Sequence, residues 1–176
     1  MAYVQFPTGD FYIKSASSSS GESINAPPSQ NLVVDVEQSF FVSWARDGTK
    51  VIIAQQKSDT EHDHNQLWRY DDGWIVNKQT SLCLDAGSGK PGNRIILHSR
   101  RSPHQAQANN QCWIFTKDGH IALQSNPKYL IEIKSSATKD GSIILADSRS
   151  KNFAKSGLLA QWVLLLIHKK KRRGNV

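Results

Sequence analysis

Only two cysteines, Cys83 and Cys112, occur in the 176 residues. Two thiols make no disulfide framework and fall short of the roughly four ligands of a structural zinc site. Reduced thiols and an intracellular setting are therefore expected. No window reaches the roughly 18 apolar residues of a membrane-spanning helix, so no membrane span is expected. The segment from Met1 to Asp10 lacks the basic and apolar regions of a signal peptide, which favours a cytoplasmic location. No stretch sustains a helical period. No nucleophile–base pair, metal-ligand spacing or phosphate loop stands out, so neither catalysis nor a cofactor is expected. The run Glu61, His62, Asp63, His64 lies in a polar stretch and reads as a solvated loop rather than a metal site.

Net excess of one charge sign is also small outside one place. The formal net charge is +7, and Lys169, Lys170, Lys171, Arg172 and Arg173 supply five of the positive charges. The excess is a property of the tail, and a nucleic-acid groove is not indicated. The tail, residues 168–176, is either a nuclear-import or anionic-surface patch or a solvated terminus. Unconventional secretion is a further route left open.

What is present is repetition. Three segments end on Trp: Asn65-Gln66-Leu67-Trp68, Asn110-Gln111-Cys112-Trp113 and Leu159-Ala160-Gln161-Trp162. The third has lost the polar pair. Earlier in each unit comes a short apolar strand with one acid: Asp35 in Leu32–Val36, Asp85 in Leu82–Ala86, and Glu132 in Tyr129–Ile133. A Gly turn and a β-branched strand follow, at Asp47–Ile53, Pro91–Leu97 and Asp140–Leu145. Each unit opens on a further short strand: Phe11–Ile13, Trp74–Val76 and His120–Leu123. Asp72-Gly73 and Asp118-Gly119 are turn signals before the second and third openings.

Four short strands in each of three copies predict an all-β chain of the β-trefoil class, a six-stranded barrel capped by three hairpins. The repeat-ending Trp residues are expected in the shared core. The expected organisation is an N-terminal arm at 1–8, the trefoil at 9–167 and the basic tail at 168–176. Two segments depart from the repeat. Residues 15–29 are Ser-rich and read as a loop. Residues 37–46 carry Phe40-Phe41-Val42-Ser43-Trp44, either a contact surface or a loop folded back over a barrel end.

These residues resemble the ricin-B-type carbohydrate-binding family, over roughly residues 9 to 167. Its marks are a repeat-ending Gln-x-Trp, an acid in an apolar strand and a Gly turn before the next strand. Gln66-x-Trp68 and Gln111-x-Trp113 match, and Ala160-x-Trp162 keeps only the Trp. The opening Phe11-Tyr12-Ile13-Lys14-Ser15 also looks like fungal members. Many secreted members close each repeat with a disulfide from the acid strand. Cys83 holds that place, but no Cys stands near Arg100. Cys112, beside a core Trp, reads as a small buried hydrophobe.

The resemblance implies a non-catalytic lectin for galactose or N-acetylgalactosamine glycans, with one shallow pocket per repeat. A carboxylate accepts from sugar hydroxyls, a flat ring covers the C–H face, and an amide fixes orientation. Copy two has Asp85, His98 in the ring position, Asn110 and Gln111. Copy one has Asp35, Asn65 and Gln66, with Ala54 in the ring position and Gln55 or Trp44 nearby. Copy three has Glu132, then Ala146 or Asp147 depending on register, and is expected not to bind. Two readings stay open for the acids, which also serve to bond turn N–H groups. The glutamines likewise read as ligands or as structural bridges. A single shallow site implies weak binding, so self-association or a multivalent glycan surface is expected. The competing function is a protein-interaction trefoil, a protease inhibitor or cytoskeletal binder acting through its loops.

Overall fold

A computed structural model describes residues 3–16, 32–37, 45–57, 64–134, 141–149 and 161–166, with backbone alone at 16 and 161–166. Most of the Ser-rich loop, the Phe40–Trp44 segment, Glu61–Asp63, the basic tail and the Trp162 side chain lie outside the described residues.

The chain is a β-trefoil. Its strands are β1 (Tyr3–Val4), β2 (Asp10–Ala16), β3 (Leu32–Val36), β4 (Val51–Gln55), β5 (Trp68–Asp71), β6 (Trp74–Asn77) and β7 (Cys83–Asp85). They continue as β8 (Ile96–His98), β9 (Trp113–Thr116), β10 (Ile121–Leu123), β11 (Tyr129–Ile133), β12 (Gly141–Asp147) and β13 (Gln161–Leu166). Copy one is β2 to β5, copy two β6 to β9, and copy three β10 to β13.

The first and last strands of each copy build the barrel wall. β13 pairs β2, β2 pairs β5, β5 pairs β6, and β9 pairs β10, all antiparallel. Trp74 bridges Cys112 and so joins β6 to the start of β9. The two-residue turn between β5 and β6 is Asp72-Gly73, with φ of 44° and 99°. Both central residues of such a turn need positive φ, which is why Gly follows Asp there.

The middle strands form the hairpins β3–β4, β7–β8 and β11–β12. Their second strands meet in a triangle. Lys50 bridges Ile96, Arg94 bridges Ile144, and Ser142 of β12 pairs Ile52 of β4. One copy alone leaves these backbone groups unpaired, so each hairpin is completed by its neighbours.

The inward faces supply one core. Trp68, Trp113, Phe11, Ile13, Ile53, Ile75, Ile95, Leu97, Ile121 and Leu145 are fully buried within it. Each described repeat-ending indole donates to an acid strand: Trp68 Nε1 to Val34 O at 3.1 Å, and Trp113 Nε1 to Leu84 O at 2.9 Å. The Trp therefore fills the core and ties the last strand of its copy to the second.

The N-terminal segment is tied to the barrel. β1 pairs β9 through Tyr3↔Thr116 and Val4↔Phe115. Phe6 is buried, with its ring stacked 4.1 Å from Tyr70. At the rim of β2, Asp10 meets Arg69 at 2.9 Å and Lys78 at 3.0 Å. Burial alone would raise its pKa, but the bonds and charges of Lys78 and Arg69 hold the carboxyl below its ordinary value.

Candidate carbohydrate sites

The same scaffold is built twice. In copy one, Gln66 Nε2 donates to Asp35 Oδ2 at 2.8 Å and to Gln55 O at 3.0 Å. Its Oε1 accepts from the Lys57 N–H at 2.9 Å. In copy two, Gln111 Nε2 donates to Asp85 Oδ2 and to Ser99 O, both at 3.0 Å, and Oε1 accepts from the Arg101 N–H at 2.9 Å. Both glutamines are fully buried. Each therefore bridges the acid strand to the segment after the next strand. That geometry gives Gln66 and Gln111 a bridging role, in which each holds its carboxylate in place.

Short 3-10 turns, His64–Gln66 and Ala106–Asn110, contain Asn65 and Asn110, each one residue before its glutamine. Buried Asn77, at the end of β6, donates to Asn65 O at 2.9 Å and Leu67 O at 3.3 Å, which pins the copy-one turn. Asn65 Nδ2 donates to Asp35 Oδ1, and Lys57 Nζ donates to Asn65 Oδ1 at 2.7 Å. The ammonium, amide and carboxylate form a chain. Asp35 also accepts from the Val36 N–H at 2.6 Å. Burial pushes its carboxyl above the ordinary value, against the Gln66 hydrogen bond and the Lys57 charge.

Copy two is wired differently. Asp85 is fully buried, and its Oδ1 accepts from the Gly87 N–H at 2.7 Å. Its Oδ2 receives Arg101 Nε at 3.3 Å in addition to Gln111. Asn110 turns away from the acid and donates to Gly87 O at 2.8 Å. The Asn110 amide lies under Gly89, where an added Cβ would stand 2.7 Å from Oδ1 at a φ of +70°. Gly89→Ala is therefore expected to displace Asn110 and to cost about 1–2 kcal/mol in strain. Urea unfolding checks the stability, and the Asn110 side-chain amide resonance checks the displacement.

Strand register fixes the ring positions. Cys83↔His98 lies two steps from Asp85↔Ile96, so His98 shares the Asp85 face. The equivalent pairs are Val33↔Ala54 in copy one and Leu130↔Ala146 in copy three. Ala146, not Asp147, thus takes the ring position of copy three. Glu132 there is buried and accepts from its neighbour Ile133 N–H at 3.3 Å. In the sequence of copy three, Ala160 stands where copies one and two have the bracing Gln.

His98 is engaged across the copy boundary. Its Nδ1 lies 3.0 Å from Ser99 O and 3.5 Å from Asp47 Oδ2. Asp47 Oδ1 accepts from the Ser99 N–H at 2.6 Å and the Ser99 hydroxyl at 2.9 Å. Burial opposes the shift, but the two Ser99 bonds and the His98 charge hold the Asp47 carboxyl below its usual value. Beside it, Arg100 lies 3.8 Å over the Trp74 ring and 2.6 Å from Asp71. Cys83 and Cys112 are free, and burial pushes the Cys83 thiol up to about 11. A thiol held protonated so far above neutrality is a poor nucleophile.

Four contributors were not anticipated from the sequence: Lys57, Arg101, Asn77 and Asp47. The first two carry a signal that sequence can show, since each stands three residues after its ring position. Asp47 carries none, because its contact crosses from copy one to copy two.

Residues 23–154 match the family model described as the ricin-type beta-trefoil lectin domain. Mucoricin from Rhizopus delemar is 30% identical over 95 residues, which span 54% of this chain and 60% of that relative's length. The solution structure of the mdaA-1 domain superposes with a TM-score of 0.69 at 22% identity, over 94% of each chain. The C-half of the earthworm R-type lectin, solved in complex with GalNAc, gives 0.59 at 22% identity, over 90% of this chain and 98% of its own.

Proposed function

Since the chain belongs to the ricin-type β-trefoil lectin family, we propose that it binds glycans of the galactose or N-acetylgalactosamine type, through copies one and two, without catalysis. The observation that carries this reading is the duplicated brace, in which a buried Gln holds a strand carboxylate, with the preceding Asn amide on that carboxylate in copy one and on Gly87 O in copy two. Donors and acceptors fixed in advance lose little freedom when a sugar arrives. The earthworm lectin's complex with GalNAc supports the choice of sugar. The acids are buried and already hydrogen-bonded at both oxygens, which suits holding the surrounding groups in place better than proton transfer.

A single shallow site of this sort is expected to bind near the millimolar range, about 4 kcal/mol. Glycoconjugates with several sugars, or self-association of the chain, would raise that by avidity. The test is titration with methyl galactoside followed by amide resonances. Saturable shifts are expected around Asn65 and around Asn110, with Asn65→Ala and Asn110→Ala each abolishing the shifts at its own copy. No saturable shift anywhere with galactose or N-acetylgalactosamine sinks the proposal.

A further inference from the structure

We propose that copy two reads an acidic sugar, with Arg101 gripping the carboxylate that a neutral sugar lacks. The inference rests on the glycan-binding reading and names the ligand class of one of its two sites.

A guanidinium carries five N–H donors in a rigid fork. In Arg101, Nε donates to buried Asp85 Oδ2 at 3.3 Å and Nη1 donates to Gln107 Oε1 at 3.3 Å. Three donors remain, and no further acceptor among the described residues engages them. The side chain is mostly buried, with 17% exposed. Nε–H and Nη1 lie on opposite flanks of the guanidinium, so both flanks are anchored, and Nη2 with the second Nη1 hydrogen supplies the remaining donors at its end. A planar fork held in this way matches a carboxylate with two parallel hydrogen bonds. Lys57, at the equivalent place in copy one, spends its ammonium on Asn65 Oδ1 and offers no such fork.

The wider field points the same way. From Leu82 to Trp113 the chain carries four Lys and Arg, two His, and one acid, the buried Asp85. From Leu32 to Trp68 six acids face three Lys and Arg. The Leu82–Trp113 window is therefore net positive, and Asp47, on which the Arg101 charge also acts, and Asp71 reduce that excess at the copy-two rim without reversing it. The other charged groups at this rim are committed. Asp47 is taken by Ser99 and lies against His98, and Arg100 is taken by Asp71 and the Trp74 ring.

The experiment compares methyl galactoside with methyl galacturonide, which differ by one carboxylate on the same ring. Calorimetry reads affinity, and the Arg101 Nε–Hε resonance reports on the site. The galacturonide is expected to bind about tenfold more tightly at low salt, to move the Arg101 resonance, and to lose that advantage in Arg101→Gln. Arg101→Lys, which keeps the charge without the fork, is expected to retain only part of it. Equal wild-type affinities overturn the proposal and leave the lectin reading intact, and this comparison needs no variant to fold. A preference that survives in a folded Arg101→Gln overturns it as well. So does an Arg101 shift reproduced in full by acetate or sulfate at matched ionic strength, because the site would then bind a bare anion. Failure of both sugars to bind at any copy overturns the lectin reading itself.

Discussion

Trp113→Ala is expected to cost about 3–5 kcal/mol of stability. The indole is fully buried and belongs to the shared core, and its Nε1 donates to Leu84 O at 2.9 Å. Truncation removes both the packed ring and the indole donor to that carbonyl. Domains of ordinary stability have about 5–15 kcal/mol in total, so the loss is a large share of it. The apparent melting temperature is expected to fall by about 10 °C or more. Trp113→Phe keeps most of the volume and is expected to cost about half as much. Thermal and urea unfolding measure both variants. A Trp113→Ala protein within about 1 kcal/mol of the parent would show that this residue is not a keystone of the barrel.

Asp85→Ala is expected to be comparably severe, about 3–5 kcal/mol. It would leave Arg101 without its counter-charge, and Gly87 N–H and one Gln111 N–H without an acceptor. Asp85→Asn removes the charge and does not solve the hydrogen-bond problem. With three donors converging on two oxygens, an amide NH2 must face an N–H in either orientation. Pairing Asp85→Ala with Arg101→Leu removes both charges and is expected to recover part of the loss, which a double-mutant cycle measures. No destabilisation in Asp85→Ala would contradict the brace described above. A loss of sugar binding in Asp85→Ala is consequently read together with its unfolding curve, whereas Asn110→Ala removes one hydrogen bond to Gly87 O and probes the pocket more directly.

Much of the fold was legible because it recurs. Trp68 and Trp113 stand in the same local wording, and each has its acid strand and Gly turn in the same order. A period that survives divergence reports packing that every copy must satisfy. The site was less legible, for three physical reasons. Gln66 and Gln111 are polar residues beside a core Trp, and sequence cannot tell a ligand from a brace until their partners are seen. The ring position of copy three needed the pairing of β11 with β12, because a step of one residue along a strand reverses the face. Arg101 and Asp47 act through neighbours 16 and 52 residues away in sequence. Copy two, expected to be the most complete pocket, has His98 and Asn110 engaged by Asp47 and Gly87, and an arginine against its acid. It is a remodelled site rather than an intact one.

The pairing of β13 with β2 has a consequence for how the chain is made. Phe11 finds Leu166, and Ile53 of β4 finds Gly141, only after copy three has been synthesised. Until then the outer edges of β2 and β4 present open backbone donors and acceptors, and such edges recruit other strands. Contacts this remote in sequence also slow folding. A nascent chain halted after Trp113 would hold copy two nearly whole and copy one unfinished on two sides. Copy one, first to leave the ribosome, is thus among the last parts to close, and chaperone engagement during translation is most needed there.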